Sequence, residues 1–223
     1  MNTELISLTR RAAVHAALGE PARLRIVDLL ALGDRSPAEL QAELGMASNL
    51  VSHHLRTLEA VGLVSRHRSE ADRRRTYVRL VRTGTAGLLA AATVHAPRVL
   101  FVCYANSARS QLAQALWKQA SPVPSASAGT HPADGIALGA QDVAARHGLD
   151  LTGSHPEMLA GTVRQGDLMI AVCDRAHEEL PASDRLHWSI PDPVAVGTPA
   201  AFEAAFSQIA ERVQDLSARV SAS

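Results

Sequence analysis

Apolar residues recur at helical spacing along the front of the chain. Between Leu5 and Leu32 they fall at Ala12, Ala13, Ala16 and Leu18, then at Leu24, Ile26, Val27, Leu29 and Leu30, with a break near Gly19-Glu20-Pro21. Two helices are expected. Ser36-Pro37-Ala38-Glu39 supplies a capping residue, a proline at the first helical position and a glutamate three after the cap, so a short helix starts there and ends at Gly45. Ser48 opens another, SNLVSHHLRTLEAVG, ending at Gly62, with Leu50, Val51, Leu55 and Leu58 able to pack inward. Two short helices joined by a tight turn follow the helix-turn-helix plan. Alternation in LVSRHRSEADRRRTYVRLV then predicts two strands around a charged tip. In the alanine-rich stretch from Thr83 to Pro97, the spacing of Leu88, Leu89, Ala92 and Val94 favours a short helix, with Pro97 as the domain boundary.

After Pro97 the pattern changes. An apolar run from Val99 to Val102 leads into Cys103, and an amphipathic helix begins at Arg109-Ser110. A second strand is expected in PVPSASAGT, a third from Asp167 to Val172 ending at Cys173, and a fourth from Leu186 to Ile190 ending at Pro191-Asp192-Pro193. Helical patterns separate or follow them, at Leu138 to His147 and at Pro199 to Val220. Strands alternating with helices imply a parallel sheet covered by helices, with ligands at the carboxyl ends of the strands. Cys103, Cys173 and Asp192 all follow strand ends, so one rim can carry all three.

Length and charge refine this picture. At 223 residues two compact domains are expected. Residues 1 to 96 hold 13 Arg/Lys against 9 Asp/Glu and residues 97 to 223 hold 9 against 13, an excess of four basic groups in front and four acidic ones behind. The basic front agrees with a polyanionic partner. The start, MNTELISLTRR, lacks the apolar core of a signal peptide and no apolar run reaches membrane-spanning length, so a cytoplasmic protein without membrane attachment is expected. Two cysteines exclude a disulfide framework. The histidines, among them His131, His147, His155, His177 and His187, show no zinc-ligand spacing with the cysteines, so no metal site is expected. His177-Glu178-Glu179 reads as a solvated charged turn and Trp117 as core.

Two stretches carry chemistry. In CYANSAR, Cys103 and Arg109 are separated by five residues. One short loop of that length wraps an oxyanion: backbone N–H groups converge, the following helix offers its positive end, and a guanidinium grips two oxygens. The same fields favour a thiolate. In the front half, Asn49, Ser52, His53 and Arg56 form a polar side of the second short helix, suited to a major groove. Of the adjacent His53 and His54, one faces outward and one is partly packed, because neighbours on a helix point about 100° apart. The hairpin adds Arg66, Arg68, Arg73, Arg74, Arg75, Arg79 and Arg82, suited to phosphate contacts.

Residues 5 to 82 resemble an ArsR-type winged-helix repressor, through GEPARLRIVDLL, ASNLVSHHLRTLEAVGLV and RRRTYVRL. The resemblance implies operator DNA as partner and a homodimer, with Arg73, Arg74 and Arg75 in the wing. The paired cysteines that arsenic-sensing members carry before the recognition helix are absent, since the front half has no cysteine. Residues 98 to about 218 resemble the low-molecular-weight tyrosine phosphatase fold and, more narrowly, its arsenate reductase branch, through CYANSARSQLAQALW, SAGTHP, HGLDLTG and WSIPDPV. The expected fold is therefore multidomain: a mainly-α winged helix-turn-helix (1–82), a linker or dimerisation helix (83–97) and an α/β phosphatase-like domain with a four-stranded parallel sheet (98–223).

The resemblance implies Cys103 as nucleophile, Arg109 as oxyanion ligand, Asp192 as general acid and Ser110 as donor to the thiolate, with Tyr104, Ala105, Asn106, Ser107 and Ala108 completing the loop. Phe, Tyr and Trp make up only 3% of the chain, and Val194-Ala195 stand where phosphatase relatives place tyrosines after Asp-Pro. This favours a small inorganic anion, arsenate, over phosphotyrosine. Cys173 fits the second thiol of the reductases, while Leu180 stands where a third thiol would be. Either Cys173 resolves the Cys103 arseno-adduct, or it is a small buried hydrophobe and an external thiol resolves the adduct. No bound cofactor is expected; the reductant is an external thiol system of thioredoxin, glutaredoxin or mycothiol type. The alternatives are a transcription factor with a non-catalytic oxyanion sensor, and a low-molecular-weight tyrosine phosphatase.

Overall fold

The computed structural model describes residues 8–81, 93–181 and 185–222. The chain splits into two compact units, Met1–Ser69 with Arg73–Ala90 and Glu70–Asp72 with Ala91–Ser223.

The front unit is α1 (Leu8–Leu18), α2 (Pro21–Leu32), α3 (Pro37–Leu44), α4 (Ser48–Ala60), β1 (Val64–Arg68) and β2 (Thr76–Leu80). Its boundaries follow from local chemistry. Glu20 caps α2 by accepting from Arg23 N at 2.9 Å, and Ser36 and Glu39 form a reciprocal capping box on α3. Gly45 ends α3 at φ 62°, a left-handed conformation that favours glycine. Ile26, Val27, Leu30, Leu40, Val51, Leu55 and Leu58 bury into one core, sealed by the antiparallel β1–β2 hairpin through Val64, Val78 and Leu80. Leu50 departs from expectation: it is 42% exposed. The buried stripe runs through Val51, Leu55 and Leu58, and Leu50 lies about 100° round the helix from Val51.

In the back unit β3 (Val94–His95) precedes β4 (Arg98–Cys103), α5 (Arg109–Ala120) and β5 (Ser125–Gly129). There follow α6 (Leu138–Arg146), α7 (Leu159–Thr162), β6 (Asp167–Ala171), α8 (Asp174–Glu179) and β7 (Arg185–His187). The chain closes with α9 (Pro193–Val196), α10 (Pro199–Ser217) and β8 (Val220–Ser221). β5, β4, β6 and β7 form a wholly parallel sheet in that order. The unbroken apolar run of β4 is explained by its place inside the sheet, where Val99, Leu100, Phe101 and Val102 are fully buried. Trp117 of α5 is likewise buried against Phe101, with ring centroids 5.8 Å apart, and its indole N–H donates to the Val123 carbonyl at 2.8 Å.

Three expectations change here. Val94 lies in a strand rather than a helix, because β3 pairs in parallel with β8. Leu88, Leu89 and Ala92 of the expected linker helix lie outside the described residues. The last helix stops at Ser217, and Val220 joins that small sheet. His177 is no part of a solvated turn: it is buried within α8. Among the described residues no helix is long and apolar enough to cross a membrane.

Candidate active site

The loop between β4 and α5 is held from within. Asn106 is fully buried with φ 50°, a conformation that asparagine tolerates better than most residues. Its Oδ1 accepts from Gln111 Nε2 at 3.1 Å and from Glu157 N at 2.8 Å, so its amide orientation is fixed, and Nδ2 donates to Ser110 Oγ at 2.7 Å. With that acceptor position filled, the Ser110 hydroxyl hydrogen is free to point at Cys103 Sγ, 3.0 Å away. Asn106 N donates to the same sulfur at 3.2 Å. Gly129, at the end of β5, permits the loop's position, since a Cβ there would meet the Tyr104 carbonyl oxygen at 2.9 Å.

Arg109 opens α5 with its side chain buried. Its Nη1 donates to the Ile190 carbonyl at 3.0 Å, and Nη2 pairs with Asp192 Oδ2 at 2.9 Å. Burial acts to lower its pKa, but the neighbouring acidic groups, Cys173, Cys103, Asp192 and Glu70, hold the guanidinium above its ordinary value. Asp192 caps α9, accepting from Val194 N at 3.0 Å through Oδ1. Cys103, Tyr104, Ala105, Ser107, Ala108, Arg109, Asp192 and Val194 line a cavity of about 70 Å³. That is far below the ~300–1,000 Å³ of sites for drug-sized ligands.

Cys173 caps α8, its sulfur accepting from Ala176 N at 3.3 Å. Burial pushes its thiol up to about 12, against the opposing pull of Arg109. The structure thus gathers Cys103, Arg109 and Asp192 around one pocket and sets Cys173 within the field of the same guanidinium. In the front unit Asn49, His53 and Arg56 recur at i, i+4 and i+7 as an exposed face of α4, with Ser52 half-buried beside them. His54 is buried, 3.5 Å from Glu20. Arg73, Arg74 and Arg75 are exposed at the hairpin tip. Arg66 and Arg79 are engaged at home, with Glu59 at 3.3 Å and Asp34 at 3.5 Å, and Arg82 lies outside the described residues.

Residues 98–223 match the family model of low molecular weight phosphotyrosine protein phosphatase. The chain belongs to that family. Residues 20–66 match a second model, the arsR family of bacterial regulatory proteins. The tyrosine phosphatase Wzb from Escherichia coli K30, solved with sulphate, is 21% identical with a TM-score of 0.51, covering 55% of this chain and 97% of its own. YfkJ from Bacillus subtilis is 21% identical at a TM-score of 0.50, covering 56% and 94%. An arsenate reductase from Archaeoglobus fulgidus DSM 4304 is 27% identical at 0.46, covering 54% and 98%. A search of curated proteins finds no match. The phosphatase-like fold is thereby shown, behind an arsR-type helix-turn-helix.

Several residues of the site were not singled out in the sequence. Gln111 ties the loop to the segment after Gly153, donating to both Asn106 Oδ1 and the His155 carbonyl at 3.0 Å. Its position two residues after Arg109 is a usable signal. Beside Cys173 lies a buried polar group: Asp174 Oδ1 is 3.0 Å from His187 Nε2, and the His187 ring stacks on His177 at 4.0 Å. Burial would raise the Asp174 pKa, yet hydrogen bonds from His187 and Ser189 hold it at about 2. Nothing in the local sequence pairs residues 13 apart on different elements.

Proposed function

We propose that the back domain is an arsenate reductase, converting As(V) to As(III), and that the front domain is a transcriptional regulator binding operator DNA as a homodimer. The observation that carries the enzymatic reading is the second thiol: Cys103 and Cys173 stand at the carboxyl ends of the neighbouring parallel strands β4 and β6, with Val172 N donating to the Val102 carbonyl at 2.7 Å. Phosphoryl transfer has no use for a second sulfur, whereas reduction of the Cys103 adduct needs one from the chain or from an external thiol, and Cys173 offers it within the chain. The small cavity with a single aromatic among its lining residues agrees with an inorganic oxyanion.

The Cys103 thiolate, supported by Ser110 Oγ and Asn106 N, attacks arsenic while Arg109 holds two of its oxygens. One As–O bond breaks as Asp192 delivers a proton to the leaving oxygen, giving water and a Cys103–S–As(V) adduct. The Cys173 thiolate then attacks Cys103 Sγ. The S–S bond forms, the S–As bond breaks, and its electron pair stays on arsenic, which leaves as arsenite. Two thiols have lost two electrons, and an external dithiol restores them. Cys173 is protonated at rest. Burial holds its thiol up and Arg109 opposes that burial, so the relay step needs the Cys173 proton to leave as the S–S bond forms.

The test is arsenate reduction by wild-type, Cys103→Ser and Cys173→Ser proteins. As(III) from wild type, none from Cys103→Ser, and loss of thioredoxin-type turnover in Cys173→Ser are expected. No As(III) with thioredoxin, glutaredoxin or mycothiol systems, alongside rapid hydrolysis of an aryl phosphate, would overturn the reading in favour of a phosphatase.

A further inference from the structure

Tyr104 directly follows Cys103 and is the one aromatic side chain among the residues lining the cavity. Its ring is already occupied. Arg175 Cζ lies 3.6 Å from the ring centroid, and the His131 imidazole stacks on it at 4.6 Å with an interplanar angle of 24°. Two groups at those heights would overlap on a single face, so they cover opposite faces. One carboxylate ties the sandwich together: Glu179 Oε2 accepts from Thr130 Oγ1 at 2.8 Å and lies 3.3 Å from His131 Nδ1, while Oε1 is 3.6 Å from Arg175 Nε. The backbone is held too, with His131 N donating to the Tyr104 carbonyl at 2.8 Å. The clip therefore spans α8 and the segment after β5, and it fixes the ring against rotation.

The geometry points to Tyr104 as a specificity-determining residue whose clamping by Arg175, His131 and Glu179 restricts the pocket to free inorganic oxyanions and against aryl phosphate monoesters. An aryl ester gains affinity by laying its ring on an aromatic face. Here both faces are taken, and apart from Cys103 and the alanines the remaining apolar residue lining the cavity is the aliphatic Val194. A tetrahedral inorganic anion needs no such face, because the loop amides and Arg109 satisfy it. This deepens the proposed function and rests on its small-oxyanion pocket.

Calorimetry of inorganic phosphate and phenyl phosphate binding to the full chain, in a Cys103→Ser background that prevents turnover, tests it. Wild-type Arg175 is expected to give a preference for phosphate. Arg175→Ala is expected to shift that preference toward phenyl phosphate by about tenfold, the scale of one aromatic contact. Arg175→Lys, which keeps a cation over the ring, is expected to retain most of the preference. Arg175 is exposed and its loss leaves the core untouched; an unshifted phosphate affinity in Arg175→Ala reports an intact pocket. An unchanged preference in Arg175→Ala, or phenyl phosphate already preferred with Arg175 present, overturns the proposal. The two readings fail separately: reduction of arsenate with no change in preference removes the clamp alone, and a shifted preference in a protein that reduces no arsenate removes the reductase alone.

Discussion

Arg109 Nη2 lies 2.9 Å from Asp192 Oδ2, so the proposed oxyanion ligand and the proposed general acid are paired with each other at one small cavity. An incoming anion competes with Asp192 for the guanidinium. Asp192→Asn removes that competitor and its negative charge. The variant is expected to bind inorganic phosphate several-fold to about tenfold more tightly and to lose about 10²-fold or more in kcat for arsenate. Calorimetry and steady-state turnover check the two arms; weaker phosphate binding would show that the carboxylate supports the anion rather than competing with it.

Ser110 is oriented toward sulfur by its neighbour. Asn106 Nδ2 donates to Ser110 Oγ at 2.7 Å, which leaves the hydroxyl hydrogen available to Cys103 Sγ at 3.0 Å. Hydrogen bonds to charged groups contribute about 1.5–3 kcal/mol. Ser110→Ala is accordingly expected to slow alkylation of Cys103 by iodoacetamide at neutral pH about tenfold, with the fold intact by circular dichroism. An unchanged alkylation rate would remove Ser110 from the role.

The buried Asp174 carries a pH dependence whose sign follows from its depressed pKa. Its folded-state value, about 2, lies below the ordinary 3.8, so the stabilisation is fully present above about pH 4 and is lost as pH falls through 2. The size is about 2 kcal/mol. Urea unfolding of the full chain between pH 6 and pH 2 should therefore show a steeper loss of stability in wild type than in Asp174→Asn, and parallel curves would refute the assignment.

The proposed DNA contacts divide between phosphates and bases. Arg73, Arg74 and Arg75 are exposed at the hairpin tip, while Asn49 and Arg56 share the exposed face of α4. Replacing Arg73 by alanine is expected to weaken binding uniformly and reduce the slope of log affinity against log salt by about 1. Asn49→Ala is expected to change which duplexes are selected from a random pool, with little effect on that slope. Fluorescence anisotropy across a salt series distinguishes them, and equal slopes in Arg73→Ala and wild type would take Arg73 off the phosphates.

The front unit was read almost element by element because its signals are local. A capping box at Ser36 and Glu39, a left-handed glycine at 45 and the Val51–Leu55–Leu58 stripe act within a few residues of where they are written. The loop from Cys103 to Ser110 was legible for the same reason, since strand end, thiol, guanidinium and helix start are contiguous. Leu50 was misplaced because hydrophobicity says that a residue can be buried, and only the packing of α4 decides which stripe is.

What the sequence determined by itself is thus the main helices and strands, the parallel sheet, the contiguous Cys103–Ser110 loop and the chemistry each side chain brings. Tertiary structure decided the partners. The short β3 and β8 exist only because residues 126 positions apart meet, and α10 yields to that pairing at Ser217. Asp192 reaches Arg109, Asp174 reaches His187, and Arg175 and His131 close on Tyr104 through the strand order β5-β4-β6-β7, which brings distant chain segments to one edge. Such contacts depend on the loops that the fold closes, and no periodicity within a segment records them.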